Sequence, residues 1–145
     1  MNIDVIANED PSVILEKRLL TISNIVMRRR HNYKNLDIWK LGIQIANEIS
    51  DILLDFPKHE RFDLSSQISR CSISIPSNLA EGSARSNKMF YTFIDYAIGS
   101  SYELETQLII AKHREYISEE TLKNFQNKLS QWQRQTLKFQ NSLEL

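Results

Sequence analysis

Nucleophiles, bases and metal ligands are sparse in this chain. Its histidines, His31, His59 and His113, are far apart, and Cys71 is its single cysteine. No His-x-x-x-His or Cys-x-x-Cys pair sets up a metal site. Gly42, Gly82 and Gly99 are too widely spaced for a phosphate-cradling loop, and no Gly-x-Ser-x-Gly elbow presents a serine. Glu103 and Glu105 point apart, because residues two apart on a helix do not share a face. Glu81 and Glu103 could meet between two helices and hold a metal. Carboxylate-bridged metal bundles also need Glu-x-x-His on two helices, which this chain lacks. No cofactor or metal is expected, and no catalytic residue is assigned.

One class of helical ribonuclease places an arginine four to six residues before a histidine. No arginine precedes His31, His59 or His113 at that spacing. A cryptic ribonuclease using Glu81 or Glu103 is the remaining enzymatic alternative. The clearest chemistry is electrostatic. Lys17, Arg18, Arg28, Arg29, Arg30 and Lys34 fall in a stretch without an acid, and His31 and Tyr33 adjoin the arginines. Such cations neutralise phosphates, and a tyrosine ring can stack on an unpaired base. Arg28, Arg29, Arg30, Tyr33 and Lys34 are therefore the candidate nucleic-acid-binding residues. The plainer alternative is a solubilising run. Net charge over the whole chain is zero, and the part from Asn35 onward is slightly acidic, so a broad polyanion-binding surface is not expected.

Helices must position these groups. Glycine and proline number three each in 145 residues, and no strand-like alternation appears. Ile38, Leu41, Ile45, Ile49 and Ile52 form one stripe of a first helix, Leu36 to Leu54. Trp39, Ile43, Ala46 and Leu53 form a second stripe on it. A helix apolar on two faces either has a wide core face or is shared between subunits. The second stripe, with Trp39, Ile43 and Leu53, is read as an oligomer interface.

A second helix spans Leu64 to Ser83, with Leu64, Ile68, Cys71, Ile75 and Leu79 on one face. Cys71 is expected as a buried structural thiol. Pro76 falls inside this helix and should kink it, at a cost of roughly 3 kcal/mol. Ser72, Ser74, Ser77 and Asn78 could bond the carbonyls left free. Gly82 suits a left-handed cap. The third helix starts at Ser86 and runs to Arg114, with Phe90, Phe93, Ala97, Leu104, Leu108 and Ala111 inward. Gly99 within it reads as a close helix–helix approach. The fourth begins at Ser118, and Leu122, Phe125, Leu129, Trp132, Thr136, Phe139 and Leu143 form its seam. Short connections favour antiparallel neighbours. The expected fold is all-α: an up-down-up-down antiparallel four-helix bundle over 34–145, with a kinked second helix and an N-terminal extension, 1–33.

Several motifs in order resemble the 23S rRNA intervening-sequence proteins. They are Asn35-Leu-Asp-Ile-Trp-Lys-Leu41, Phe56-Pro-Lys-His-Glu-Arg-Phe62 and Ala97-Ile-Gly-Ser-Ser-Tyr-Glu-Leu-Glu-Thr106. Between the last two, Gln67, Arg70, Ser74, Ile75, Pro76, Ser77, Asn78, Ala80, Glu81, Gly82 and Arg85 match the central pattern. The resemblance runs from about Tyr33 to Tyr116; Ser69, Cys71 and Leu79 depart from it. It implies a symmetric homo-oligomer, a pentameric barrel. It also implies kinship with the accessory protein of diversity-generating retroelements, which binds nucleic acid and a reverse transcriptase. Structured RNA or a reverse-transcriptase-like protein is the partner so implied; a protein–protein adaptor without nucleic-acid binding is the alternative. The motif polars Gln67, Arg70, Asn78, Glu81, Arg85, Glu103 and Thr106 should cluster between the second and third helices. Arg70 or Arg85 would pair with Glu81 or Glu103 in buried charge pairs that fix register. The alternative is a ligand pocket near Gly82 to Ser86.

The first 33 residues lie outside the resemblance. Asp10-Pro11 could cap and start a helix bearing Leu15, Leu19, Ile22 and Val26. A docked helix, a disordered extension and translated upstream sequence all fit, the last with a start at Met27. No apolar run approaches the roughly 20 residues that span a bilayer. Asp4, Glu9 and Asp10, followed by Lys17-Arg18, make a poor signal peptide. A cytoplasmic protein without membrane contact is expected.

Overall fold

The computed structural model describes residues 10–26 and 31–145, which are helical with no strand among them. The all-α expectation holds. The helices are α1 (Pro11–Val26), α2 (Asp37–Leu53), α3 (Leu64–Ser83), α4 (Asn87–His113) and α5 (Glu119–Asn141), with short 3-10 turns at Tyr33–Asn35 and Lys58–Glu60. Start signals act as expected from their chemistry. The Asp10 carboxylate accepts from Ser12 N–H at 2.8 Å. Ser86 and Ser118 accept from the N–H groups of Met89 and Thr121 at 3.4 and 3.0 Å. Each bond satisfies a donor that the first helical turn leaves free.

Helix α2 packs on α3 and α5, and α4 packs on the same two helices. The apolar stripes meet along this enclosed line. Ile45, Ile49, Ile68, Ile75, Leu79, Phe90, Ile94, Leu104, Leu108, Leu129 and Trp132 are fully buried. Phe93 departs from its expected inward position and is half-buried, beside Arg85 and Tyr96. Polar contacts tie α2 to α5. Trp132 Nε1 donates to the Ile38 carbonyl at 2.8 Å, joining α5 to the start of α2. Lys128 pairs with Glu48 across the same two helices.

Helix α3 continues through buried Pro76. A methyl at Gly42 of α2 would lie 3.4 Å from the Pro76 ring and from Ile75. The α2 backbone thus comes within van der Waals reach of the proline and holds it in place. The neighbouring side chains act differently from expectation. The carbonyl that Pro76 deprives of its partner is that of Ser72, one turn back. Ser72 Oγ bonds the Ser69 carbonyl at 2.8 Å, and Asn78 Nδ2 bonds the Ser74 carbonyl at 2.9 Å.

Two glycines reverse their expected roles. Gly82 has no left-handed backbone, and α3 runs on to Ser83. Its function is steric: a Cβ there would fall 2.6 Å from Phe93 Cβ and 2.7 Å from Phe90 Cδ2. Gly99, expected at a close approach, faces open space instead. Among the described residues the left-handed position is Glu115, with φ of 61°. It ends α4, and Tyr116 N–H reaches back to the Ala111 carbonyl at 2.9 Å.

Candidate nucleic-acid interface

The basic segment joins the helical body at one end. Arg28, Arg29 and Arg30 lie outside the described residues; His31 is the first described residue after them. Its ring is half-buried against Phe90 of α4 and Phe139 of α5, with centroids 5.2 and 5.7 Å away. Its Nε2 shares a 3.2 Å hydrogen bond with Asn87 Oδ1. Asn87 in turn donates to the Glu144 carbonyl at 2.8 Å. In sequence His31 reads as part of the basic and aromatic run; in the structure it is an anchor. A half-buried histidine next to three arginines has no local apolar pattern to reveal it.

From His31 the chain crosses this end of the molecule in two residues. Asn32 Oδ1 accepts from Lys34 N–H at 3.2 Å and caps the 3-10 turn. Tyr33 then meets Trp39 edge-on, centroids 5.2 Å apart, and Lys34 is exposed. An aromatic pair and a free ammonium therefore sit beside the attachment point of the arginine run. Phosphate would meet the cations, and an unpaired base could reach the Tyr33 ring.

The motif polars do not converge on a site. Arg85 and Glu81 pair at 3.2 Å on the surface, with half of each side chain exposed. Arg70 and Gln67 are exposed. Glu103 accepts from Gln107 at 3.2 Å, and Thr106 bonds the Tyr102 carbonyl at 2.8 Å, both within α4. The expected buried charge pairs are absent among the described residues, because these side chains fall on the outer faces of α3 and α4. Glu81 and Glu103 do not meet either. Glu103 lies beside Cys71, ten residues before Glu81 on α3, which is about 15 Å of helix. No group of three or more metal-ligating side chains forms among the described residues. Beside Gly82, where the alternative reading put a ligand pocket, Phe90 and Phe93 crowd the backbone. Asn78 joins a link between α3 and α4: it bonds Ser74 Oγ at 2.9 Å, which meets Ser100 Oγ at 2.8 Å.

Cys71 is buried on the α3 face, as expected. Burial pushes its thiol up to about 11, and the neighbouring Glu103 carboxylate adds to the shift. A neutral, shielded thiol is a poor nucleophile. In the folded protein, Ellman's reagent at pH 8 should leave Cys71 untouched for as long as the helices stay packed. In denaturant one thiol per chain should react promptly; rapid reaction of the native protein would contradict the burial.

A second cluster, at the opposite end, was not foreseen. Glu60 is buried in the α2–α3 link. It receives Tyr116 Oη at 2.7 Å, Arg114 Nη1 at 3.0 Å and Leu64 N–H at 3.3 Å. The Tyr116 hydrogen bond first, then Leu64 N–H and Arg114, hold its carboxyl below the usual range. It caps α3 and pins the α4–α5 link to the α2–α3 link. In sequence, Lys58-His59-Glu60 reads as a solvated loop, because its side-chain partners Arg114 and Tyr116 lie more than fifty residues away.

The second stripe of α2 divides. Trp39 and Leu53 pack against the core of their own chain, while Ile43 stays 36% exposed. Trp39, Ile43 and Ala46 then form one wall of an open groove of about 350 Å³, with Ile73, Pro76 and Ala80 of α3 on the other wall.

Among the described residues, helices without strands and an apolar α3 face running through a proline define an all-helical protein whose class rests on its packing pattern. The model of the family described as 23S rRNA-intervening sequence protein matches residues 34–138. The chain belongs to that family. No curated protein matches it significantly. Its structure is similar to that of a protein of unknown function from the S23 ribosomal protein family of Bacteroides thetaiotaomicron. The TM-score is 0.67 at 21% identity, over 72% of this chain and 96% of that one. No helix among the described residues is long and apolar enough to cross a membrane.

Proposed function

We propose that the chain is a non-enzymatic, cytoplasmic homo-oligomer that binds structured RNA through a multivalent basic face. The supporting observation is the anchoring of His31, covalent neighbour of Arg30, between Phe90 and Phe139. A basic run tethered at a fixed end is repeated in register by a symmetric oligomer. Several weak phosphate contacts then act together through effective concentration. Arg28, Arg29, Arg30 and Lys34 supply charge, and Tyr33 supplies a stacking face. The frame is an up-down-up-down antiparallel bundle of α2 to α5, with α3 kinked at Pro76. Contacts of Gly82 with Phe90 and Phe93, of Glu60 with Arg114, and of Gln140 with Tyr91 support that order, since each joins the end of one helix to the start of another or to its connection. A pentamer is the assembly that the family resemblance favours.

The arginines carry the test. In Arg28→Ala/Arg29→Ala/Arg30→Ala, RNA affinity should fall at least tenfold at low salt. The slope of log affinity against log salt should flatten by roughly 0.7–0.9 for each arginine that touched a phosphate. Filter binding over a salt series reads both. Unchanged affinity and slope would remove the arginines from the interface. The open groove beside Ile43 favours a second reading, a protein–protein adaptor, with a reverse-transcriptase-like protein as the partner that the family resemblance implies. In that case RNA binding is absent from the wild type as well.

A further inference from the structure

A pocket of about 420 Å³ opens between the start of α2 and the last turns of α5. That volume lies within the range of about 300–1,000 Å³ usual for small-ligand sites. Leu36 and Phe139 give it apolar walls, while Asn35, Asp37, Gln135 and Lys138, all exposed, add polar groups. The two helices are fixed to each other at this point, because Trp132 Nε1 donates to the Ile38 carbonyl at 2.8 Å. The pocket is therefore formed before any ligand arrives.

Its polar groups are uncommitted. The side chains of Asn35, Gln135 and Lys138 have no hydrogen-bond or ion-pair partner among the described residues. Asp37 faces Lys40 at 3.6 Å, which offsets its charge. Two free amides and a free ammonium beside apolar walls match the parts of an unpaired nucleotide. The base is flat and stacks, its edge carries donors and acceptors, and its phosphate is anionic. Other hollows lack this set. The α2–α3 groove has no charged side chain in its lining. The hollow beside Phe125 holds Glu48 and Asp51, with Lys128 committed to Glu48. At the α4–α5 link, Lys112 is committed to Glu119. Position agrees with chemistry: Asn35 directly follows Lys34, and Phe139 packs on His31 at 5.7 Å. The pocket is thus continuous with the candidate interface.

We propose that this pocket takes one unpaired nucleotide of the bound RNA. The base lies between Leu36 and Phe139, Asn35 and Gln135 read its edge, and Lys138 holds its phosphate. This rests on the RNA binding in the proposed function and names what the site selects in that RNA: a bulged or looped-out nucleotide over continuous duplex.

RNA hairpins of one stem sequence test it with the full-length protein at near-physiological salt. One hairpin is fully paired, one carries a bulged adenosine, and one carries an abasic residue in that bulge. The wild type should favour the adenosine bulge over both others by about tenfold, as stacking of one base on an aromatic ring supplies. Asn35→Ala/Gln135→Ala keeps every charge and touches exposed positions only. It should lose that preference while keeping wild-type affinity for the paired hairpin and wild-type circular dichroism. Lys138→Ala should weaken binding of the bulged hairpin more than of the paired one. Equal affinity of the wild type for all the hairpins would overturn the pocket and leave RNA binding standing. A bulge preference that survives in Asn35→Ala/Gln135→Ala would also overturn it, since the base would then be read elsewhere. Absence of binding to every hairpin would overturn the RNA reading and the pocket with it.

Discussion

Trp132→Ala should cost about 3–5 kcal/mol, the range for emptying an aromatic site in a packed core. Trp132 is fully buried and is the largest side chain in the interior. Its loss opens a cavity between α5 and its neighbours, and it also strips the Ile38 carbonyl of the indole donor 2.8 Å away. That carbonyl lies in the first turn of α2, so the damage reaches the end where the basic segment joins. Urea unfolding followed by circular dichroism measures the loss. Trp132→Phe should cost less, since most of the volume stays and chiefly the hydrogen bond goes. A midpoint for Trp132→Ala within 1 kcal/mol of wild type would mean that α5 does not pack as described.

The glycines give the second large effect, and its sign differs between them. At Gly82 a methyl would overlap Phe93 Cβ, an atom fixed to the α4 backbone, and the Phe90 ring. Overpacking costs about 1–3 kcal/mol. Alanine's helix preference returns about 1 kcal/mol. At 2.6 Å the upper part of the overpacking range applies, because the whole α3–α4 spacing must widen. Gly82→Ala should therefore be destabilising by about 2 kcal/mol. Gly99→Ala meets nothing within 4 Å, so it should be stabilising by up to about 1 kcal/mol. Thermal melts of the two variants should move in opposite directions. A stabilised Gly82→Ala would refute the close approach of α3 and α4.

Much of this fold was legible because local pattern and tertiary packing agree. The 3.6-residue spacing of Leu64, Ile68, Cys71, Ile75 and Leu79 put all five on the buried side of α3. Ser86 and Ser118 marked helix starts through their side-chain acceptors. Failures occurred where meaning depends on a distant partner. Glycine permits both a left-handed cap and a close contact, and only the position of Phe93 decides for Gly82. Arg70, Arg85, Glu81 and Glu103 were expected inside because motif residues suggested a shared site. Their helical phase places them on outer faces, where exposed ion pairs contribute little. The buried contacts of Glu60 and His31 were not legible for a related reason. A polar side chain in a connection shows no periodicity, so nothing local reports that Arg114 and Tyr116, or Phe90 and Phe139, wait across the fold.

The functional account differs in kind, since family membership and fold do not by themselves supply an activity. It rests on charge placed by sequence and anchored by structure. Cations at positions 17–34 stand without an acid, while the remainder from Asn35 carries twelve cations against fourteen acids. Attraction to phosphate should therefore be confined to one region of each chain and should depend on copy number.

A titration of the purified full-length protein against structured ribosomal RNA, at 50 mM and near-physiological salt, tests this most directly. RNA integrity is checked at the end. The account predicts saturable binding that weakens steeply with salt, as counterion release requires, with the RNA left intact. Absence of binding at both salts would contradict it and leave the groove-based adaptor; cleaved RNA would contradict the non-enzymatic assignment.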